Sequence, residues 1–207
     1  GNSGVILSQF FKGIATSLDG ASDWGAEELV RAYQEARQHA YRAVSDPVEG
    51  TMLTVISSVA EAAQESLAAQ GGVQDISESV CEAARNAVAR TPTMLAVLRE
   101  AGVVDAGGQG LAVMLEGVRR YVKGEVSDNL EIAPPDPVGM EPGAGVVSTD
   151  FLAATDEELY GYCTQFLVQG QGLDVDSIRD RLDAAAHSTV VVGDHTMVKV
   201  HVHTDDP

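Results

Sequence analysis

The sequence predicts an α+β chain of two unequal parts, an all-α helical bundle followed by a small α/β unit. Apolar residues recur at helical spacing up to residue 124, whereas strand-like alternation begins only after residue 150. Between these parts, residues 125–150 contain four prolines, several glycines and no lysine or arginine. We therefore expect a helical domain over residues 1–124, an acidic linker over 125–150 and an α/β domain over 151–207.

Each expected helix carries an apolar stripe and ends at a breaker such as Asp46-Pro47 or Gly71-Gly72. Pro92 suits the first turn of a new helix, so we expect the preceding helix to stop before Thr91. The many alanines and glycines favour close packing, with Cys81 on the buried side. The stripes predict helices over about residues 5–14, 24–44, 51–67, 76–88, 92–98 and 111–122.

The α/β unit follows the order strand, helix, strand, strand. Alternating residues predict strands over Tyr160–Val168, Ser188–Val192 and Thr196–His203. Asp174 is placed to cap the intervening helix, and Gly193–His195 forms the turn between the last two strands. This order is the first two-thirds of a ferredoxin-like unit, whose remaining helix and strand we expect beyond the end of this sequence.

Composition excludes several classes of function. A net charge of −18 argues against nucleic-acid binding and against binding to anionic membranes. Cys81 and Cys163 form no disulfide framework, which favours a reducing, cytoplasmic setting. We find no apolar run of membrane-spanning length and no signal peptide, and we expect no integral membrane association. Both ends have the look of a cut chain, so we expect a fragment of a longer polypeptide.

The glycine-rich stretch Val103–Gly110 precedes an apolar helix pattern. Free N–H groups at a helix start, together with the helix dipole, can hold a phosphate. A tight turn between helices explains the same glycines, and Asp105 either caps the helix or contacts a ligand. Asn2 and Ser3 present the same choice at the first helix.

The last predicted strand places His201 and His203 on one face, because strand side chains alternate. With Cys163 from the first strand, they make a donor set that is typical of catalytic zinc. A solvent-exposed histidine pair and a buried thiol remain the alternative. We find no Ser-His-Asp triad, Walker A loop or pair of hydrolytic carboxylates.

Four motifs in this order resemble the nucleotide-binding subunit of bacterial fatty acid kinase. They are Gly1–Gln9, Ala101–Gly110, Tyr160–Thr164 and Lys199–Pro207. The N-terminal domain of that family is similar to the ATP-binding L subunit of dihydroxyacetone kinase. The resemblance implies an eight-helix barrel that binds ATP or ADP with Mg²⁺ at one mouth. A middle domain used for dimerisation and catalysis follows, and then a domain related to fatty-acid-binding proteins.

The resemblance also implies a nucleotide site made of three turns and one arginine. Asn2–Gly4 matches a phosphate-contacting loop, and Gly50–Met52 matches a second turn that places Met52 near the adenine. Asp105–Gly107 matches an Asp-Pro-Gly-Ala turn in which alanine here replaces the proline, and Arg90 is a loosely aligned arginine. The complete set is Asn2, Ser3, Gly4, Gly50, Thr51, Met52, Arg90, Asp105, Ala106 and Gly107.

Cys163, His201 and His203 match the middle-domain residues that the family is expected to use for Zn²⁺. The resemblance makes His201 the catalytic candidate, since the metal could orient the acceptor or stabilise charge. In the intact protein, ATP would phosphorylate a fatty acid presented by a separate carrier protein, and the protein would form a homodimer through the middle domain.

The family's magnesium-binding Asp-Gly-Asp-Thr-Gly-Thr-Asn-Met motif would lie before Gly1. Phosphoryl transfer depends on the ions that this motif holds, so we expect this chain alone to bind nucleotide weakly and to be inactive as a kinase. Two alternatives stay open: a dihydroxyacetone-type sugar kinase subunit, and a non-catalytic module that dimerises and binds a structural metal.

Overall fold

The structure is a computed structural model, and it describes residues 2–125, 132–139 and 162–206. It confirms the predicted α+β class, with a helical part followed by a small sheet. The helices are α1 (Asn2–Ser17), α2 (Ala26–Arg42), α3 (Met52–Ala68), α4 (Val73–Met94), α5 (Ala96–Ala101), α6 (Ala106–Val122) and α7 (Val175–Asp183). The strands are β1 (Tyr162–Gln169), β2 (His187–Gly193) and β3 (Met197–Thr204).

The long helices pack in chain order, α1 on α2, α2 on α3, α3 on α4 and α4 on α6, and α3 also contacts α6. Their common core is rich in alanine, as the composition predicted, and Cys81 lies within it at 4% exposure. Small side chains let helix axes approach closely, while the larger ones supply most of the hydrophobic stabilisation, about 1.5–3 kcal/mol for each buried Val, Leu or Ile. These larger residues include Val55, Ile56, Val59, Ile76, Val80, Val88 and Leu111.

The prediction of a helix break at Pro92 was wrong. Helix α4 continues through Pro92, and the chain leaves helical geometry only at Leu95, whose φ is −117° and ψ 115°. Proline has no N–H to give the carbonyl four residues earlier, which here belongs to Val88. The Thr91 hydroxyl donates to that carbonyl at 2.7 Å instead, so the buried acceptor stays satisfied.

The sheet has the order β1-β3-β2, and β3 is antiparallel to both neighbours. β1 and β2 therefore run parallel with β3 between them, joined by α7, as the ferredoxin-like prediction requires. One face of the sheet packs against α7 through Val191, Val198, Val200 and Val202. The predicted cap is confirmed, since the Asp174 carboxylate accepts from two N–H groups of the first turn of α7 at 3.1 Å.

Strand β2 contains a bulge and contacts the helical part. His187 pairs with His203 and Val190 with His201, so three steps along β2 match two along β3. Val44 forms an isolated antiparallel bridge with Val190. The Ser45 N–H donates to the Thr189 carbonyl at 3.4 Å. The connection between α2 and α3 thus holds the bulge of β2.

Most of the expected linker, and Tyr160 of the first strand, lie outside the described residues. Within the linker, residues 132–139 form neither helix nor strand, and the Val138 N–H donates to the Ala89 carbonyl at 2.8 Å. The three domain boundaries therefore stay predictions. Among the residues that the structure describes, no helix combines the length and the apolarity needed to cross a membrane.

Candidate functional site

A cavity of about 230 Å³ lies where the starts of α1, α3 and α6 meet strand β2. The unpaired N–H groups and the dipole of a helix start favour an anion, and here three such starts face one space. The lining residues are Asn2, Ser3, Ile6, Val44, Asp46, Val48, Thr51, Met52, Leu53, Asp105, Ser188, Thr189 and Val190. Five of the ten predicted nucleotide residues are among them.

At the start of α1, the Oδ1 atom of Asn2 is buried and has no hydrogen-bond partner among the described residues. An unpaired buried acceptor is unfavourable, so a donor supplied by a ligand or by water would stabilise it. Ser3 is exposed one residue further on. The start of α1 therefore offers free polar groups toward the cavity.

The turn before α3 depends on Gly50. Its φ of +85° lies in the left-handed region, and a Cβ there would be 2.9 Å from the Cβ of Leu95, so glycine is required twice over. The Thr51 hydroxyl accepts from the Leu53 N–H at 3.3 Å and donates to the Val48 carbonyl at 2.7 Å. These contacts fix Thr51 and Met52 at the cavity, while Gly50 is buried outside its lining.

The Asp105 carboxylate joins the starts of two helices. It accepts from the Gly108 N–H at 2.6 Å, which makes it the N-cap of α6, and from the Met52 N–H at the start of α3. Burial raises the pKa of Asp105 above its ordinary value, and the two N–H donors partly oppose that shift because they favour the charged form. Asp105 therefore places a carboxylate of raised pKa at the cavity wall.

The glycines after Asp105 are not a loop. Gly107, Gly108 and Gly110 lie inside α6, so the predicted glycine-rich turn was wrong over these residues. A Cβ on Gly108 would be 2.7 Å from Cγ2 of Val55, and one on Gly107 would be 2.9 Å from Cε of Met52. These two glycines let α6 approach α3, which brings both helix starts to one cavity.

The other predicted nucleotide residues lie outside the lining. Gly4 and Ala106 are exposed in the first turns of α1 and α6. Arg90 is exposed on α4, where it borders a different cavity together with Glu61 and Val138.

Sequence reasoning missed the cavity residues on the α2–α3 connection and on β2. Asp46 was interpreted only as part of a helix break, yet its carboxylate side chain lines the cavity. Ser188, Thr189 and Val190 were interpreted only as strand residues. Nothing in the local pattern could have identified them, because their position depends on packing between distant segments.

A second constellation lies on the other side of the sheet from α7. Antiparallel pairing sets Cys163 opposite His203, and His201 shares the face of His203. The ligand atoms of Cys163, His201 and His203 all lie within 4.8 Å of one another. The Cys163 Sγ is 3.9 Å from the His201 Nε2. Strand pairing alone thus brings the three predicted metal residues together.

These residues fit zinc in donor chemistry and in spacing. A tetrahedral zinc ion with ordinary bond lengths separates its sulfur and nitrogen ligands by about 3.5 Å. His201 is 3% exposed, and its Nδ1 has no hydrogen-bond partner within the described part of the chain. Burial lowers the pKa of His201, and this favours the neutral imidazole that binds metals.

Comparison with known proteins agrees with this architecture. Residues 1–120 match the DAK2 domain, and residues 159–207 match the middle domain of FakA-like fatty acid kinase proteins. An uncharacterized protein of Staphylococcus epidermidis is 36% identical over 214 residues, covering 100% of this chain and 38% of that protein. Uncharacterized proteins of Staphylococcus aureus strains USA300 and MRSA252 are 36% and 35% identical with the same coverage.

A helical domain with a cavity at its helix starts, joined to a small α/β unit, defines a class that is associated with kinase subunits. The chain belongs to the DAK2 domain family, in the arrangement that adds a FakA-like middle domain. This confirms the resemblance found in the four motifs. The chain spans about two fifths of the length of the curated relatives it matches, 38% for the protein of Staphylococcus epidermidis.

Proposed function

We propose that this chain is part of the nucleotide-binding subunit of a fatty acid kinase. The enzyme would transfer the γ-phosphoryl group of ATP to a fatty acid that a separate carrier protein presents. The observation that carries the proposal is the meeting of three helix starts at one cavity, which is also walled by the strand next to the Cys/His group. The match to both domains supports it.

The cavity is suited to the phosphates. Helix starts supply N–H donors and positive potential, which a polyphosphate needs and a neutral sugar does not. Its volume of about 230 Å³ is below the roughly 300–1,000 Å³ of pockets that enclose a whole ligand. We therefore infer that it encloses the phosphates and leaves the base at the rim, where Met52 offers an apolar contact.

Two carboxylates, those of Asp46 and Asp105, also line the cavity and would repel a bare polyphosphate. Magnesium bound with the nucleotide removes this conflict, because it neutralises the phosphates and is attracted by carboxylates. We propose that Asp46 and Asp105 face the magnesium-bound side of the nucleotide.

The transfer itself needs little acid or base chemistry. A carboxylate oxygen of the fatty acid forms a bond to the γ-phosphorus, and the bond from that phosphorus to the bridging oxygen breaks. ADP leaves with the electron pair, and the product is an acyl phosphate. A carboxylic acid is already ionised near neutral pH, so no proton has to be removed. The residues of the chain therefore act by positioning and by charge.

Zinc at Cys163, His201 and His203 would supply a Lewis acid or a structural link. We propose that His201 acts in the first way, by holding the metal that orients the acceptor. Replacing His201 by Ala in the longer polypeptide should then lower turnover more than it lowers the melting temperature. Unchanged turnover would favour a structural metal.

The kinase proposal is tested by assaying the longer polypeptide of the family with ATP, fatty acid and carrier protein, and by trapping acyl phosphate as its hydroxamate. Thr51→Ala should reduce product formation, since Thr51 lines the cavity. Thr93→Ala is the matched control, because Thr93 lies on α4 outside the lining. Phosphorylation of dihydroxyacetone without acyl phosphate would instead establish the sugar kinase alternative.

We also propose a homodimer through the α/β unit and a cytoplasmic location. β1 is an edge strand of the described sheet and exposes Tyr162 and Leu167 at 61% and 58%, which favours pairing with a second copy. The two cysteines are free, in keeping with a reducing compartment. Sedimentation equilibrium of this chain tests the dimer, and a Leu167→Lys variant that stays dimeric would contradict the proposed edge.

A further inference from the structure

The bulge of β2 is a strained element of the α/β unit. Ser188 has a φ of +51°, which a non-glycine residue adopts at a cost in free energy. The extra residue lies between the pairs His187–His203 and Val190–His201. Bulges of this kind turn a side chain away from the regular alternation of a strand.

The same bulge forms a wall of the cavity that the helix starts surround. Ser188, Thr189 and Val190 all line it, facing the residues contributed by α1, α3 and Asp105. Thr189 is 4% exposed, and its carbonyl accepts the Ser45 N–H, while Val190 bridges to Val44. Both neighbours of Ser188 toward the helical part are therefore held in place, whereas Ser188 itself is exposed.

We propose that Ser188 is a nucleotide-binding residue, whose hydroxyl donates a hydrogen bond to a phosphate oxygen. This inference rests on the proposed nucleotide site and extends it to the α/β unit, which would then complete the site as well as carrying the metal group. The hydroxyl is suited to this role because Asp46 and Asp105, the nearby carboxylates of the lining, can only accept when ionised.

The inference is tested first by nuclear magnetic resonance on the ¹⁵N-labelled chain, titrated with MgADP and with MgATP up to millimolar concentrations, where weak binding is still visible. The amides of Ser188 and Thr189 should shift together with those of Ser3 and Gly107. Shifts confined to the helical residues would overturn the role of Ser188 and leave the nucleotide site standing. No shifts at any of these amides would overturn both.

Two substitutions then separate the hydroxyl from the backbone. Ser188→Gly removes the hydroxyl but suits the positive φ, so the affinity for MgATP should fall about two- to tenfold without a lower melting temperature. Ser188→Asn also tolerates positive φ but extends into the cavity, and it should weaken binding further. Ser177→Ala, on the exposed face of α7, is the matched control. Unchanged affinity in both Ser188 variants would refute the proposal.

Discussion

The cavity and the metal group are built in opposite ways. The metal group comes from two neighbouring strands, and its three residues are set by side-chain alternation and by one pairing register. The cavity comes from three helix starts, a connection and a strand bulge, and its residues meet only because whole elements pack. One site thus depends on local geometry, and the other on the close approach of α6 to α3.

This difference predicts different responses to substitution. A strand-built group should lose its function when one ligand is removed, with little effect on the helical bundle. A packing-built cavity should be sensitive to residues that touch no ligand, because they set the distances between helices. Substitutions in both regions can therefore test this contrast.

The largest effect is expected at Cys163. The purified chain should contain about one zinc ion, and Cys163→Ser should contain almost none, because the thiolate is the strongest zinc ligand of the set. Cys81→Ala is the matched control, since Cys81 is buried in the helical core and should leave the zinc content unchanged. Elemental analysis measures both. Equal zinc in the two variants would show that strand pairing does not build the site.

The next effect is expected at Gly108. A Cβ there would overlap Cγ2 of Val55 at 2.7 Å, so Gly108→Ala should lower the free energy of unfolding by about 1–3 kcal/mol. The overlap outweighs the roughly 1 kcal/mol by which a helix prefers alanine to glycine.

Gly110→Ala is the matched control for Gly108. A Cβ at Gly110 would meet no atom of the described residues within 4 Å outside the backbone of its own helix, so this variant should be neutral or more stable. Urea unfolding followed by circular dichroism compares the two. Equal stability of both variants would mean that α6 does not need its glycines to approach α3.

The predictability of the two regions follows the same division. Apolar periodicity located the helices, the Asp174 cap and the strand order, because these depend on neighbouring residues. The continuation of α4 through Pro92 was missed, since it depends on one Thr91 hydroxyl replacing a missing donor. Asp46 and Ser188 were missed because only tertiary packing brings them to the cavity. The resemblance supplied the cavity residues of the helix starts, which periodicity could not.

A smaller effect is expected from the buried charge of Asp105. Burial raises its pKa in the folded chain above the ordinary value of 3.8, so the folded state binds this proton more tightly than the unfolded state. The contribution of Asp105 to stability therefore falls as the pH rises through the window above that value. Asp105→Asn should remove this fall, and urea unfolding from about pH 4 to pH 7 measures it. A wild-type advantage that grows with pH would contradict the raised pKa.

The smallest effect is expected at His187. Its backbone pairs with His203, which places it in one row across the sheet with Cys163 and His203. The convergent ligand atoms, however, belong to Cys163, His201 and His203. His187→Gln should therefore leave the zinc content near that of the unsubstituted chain, whereas His203→Gln should lower it.

This pair of variants also decides what the metal can do. Retention of zinc in His187→Gln would leave three protein ligands and a position open to water or to an acceptor oxygen, which is the arrangement of catalytic zinc. Loss of zinc in both variants would establish a fourth protein ligand and a closed, structural site. In that case the strand-built group would only stabilise the α/β unit, and the positioning of the acceptor would fall to the cavity alone.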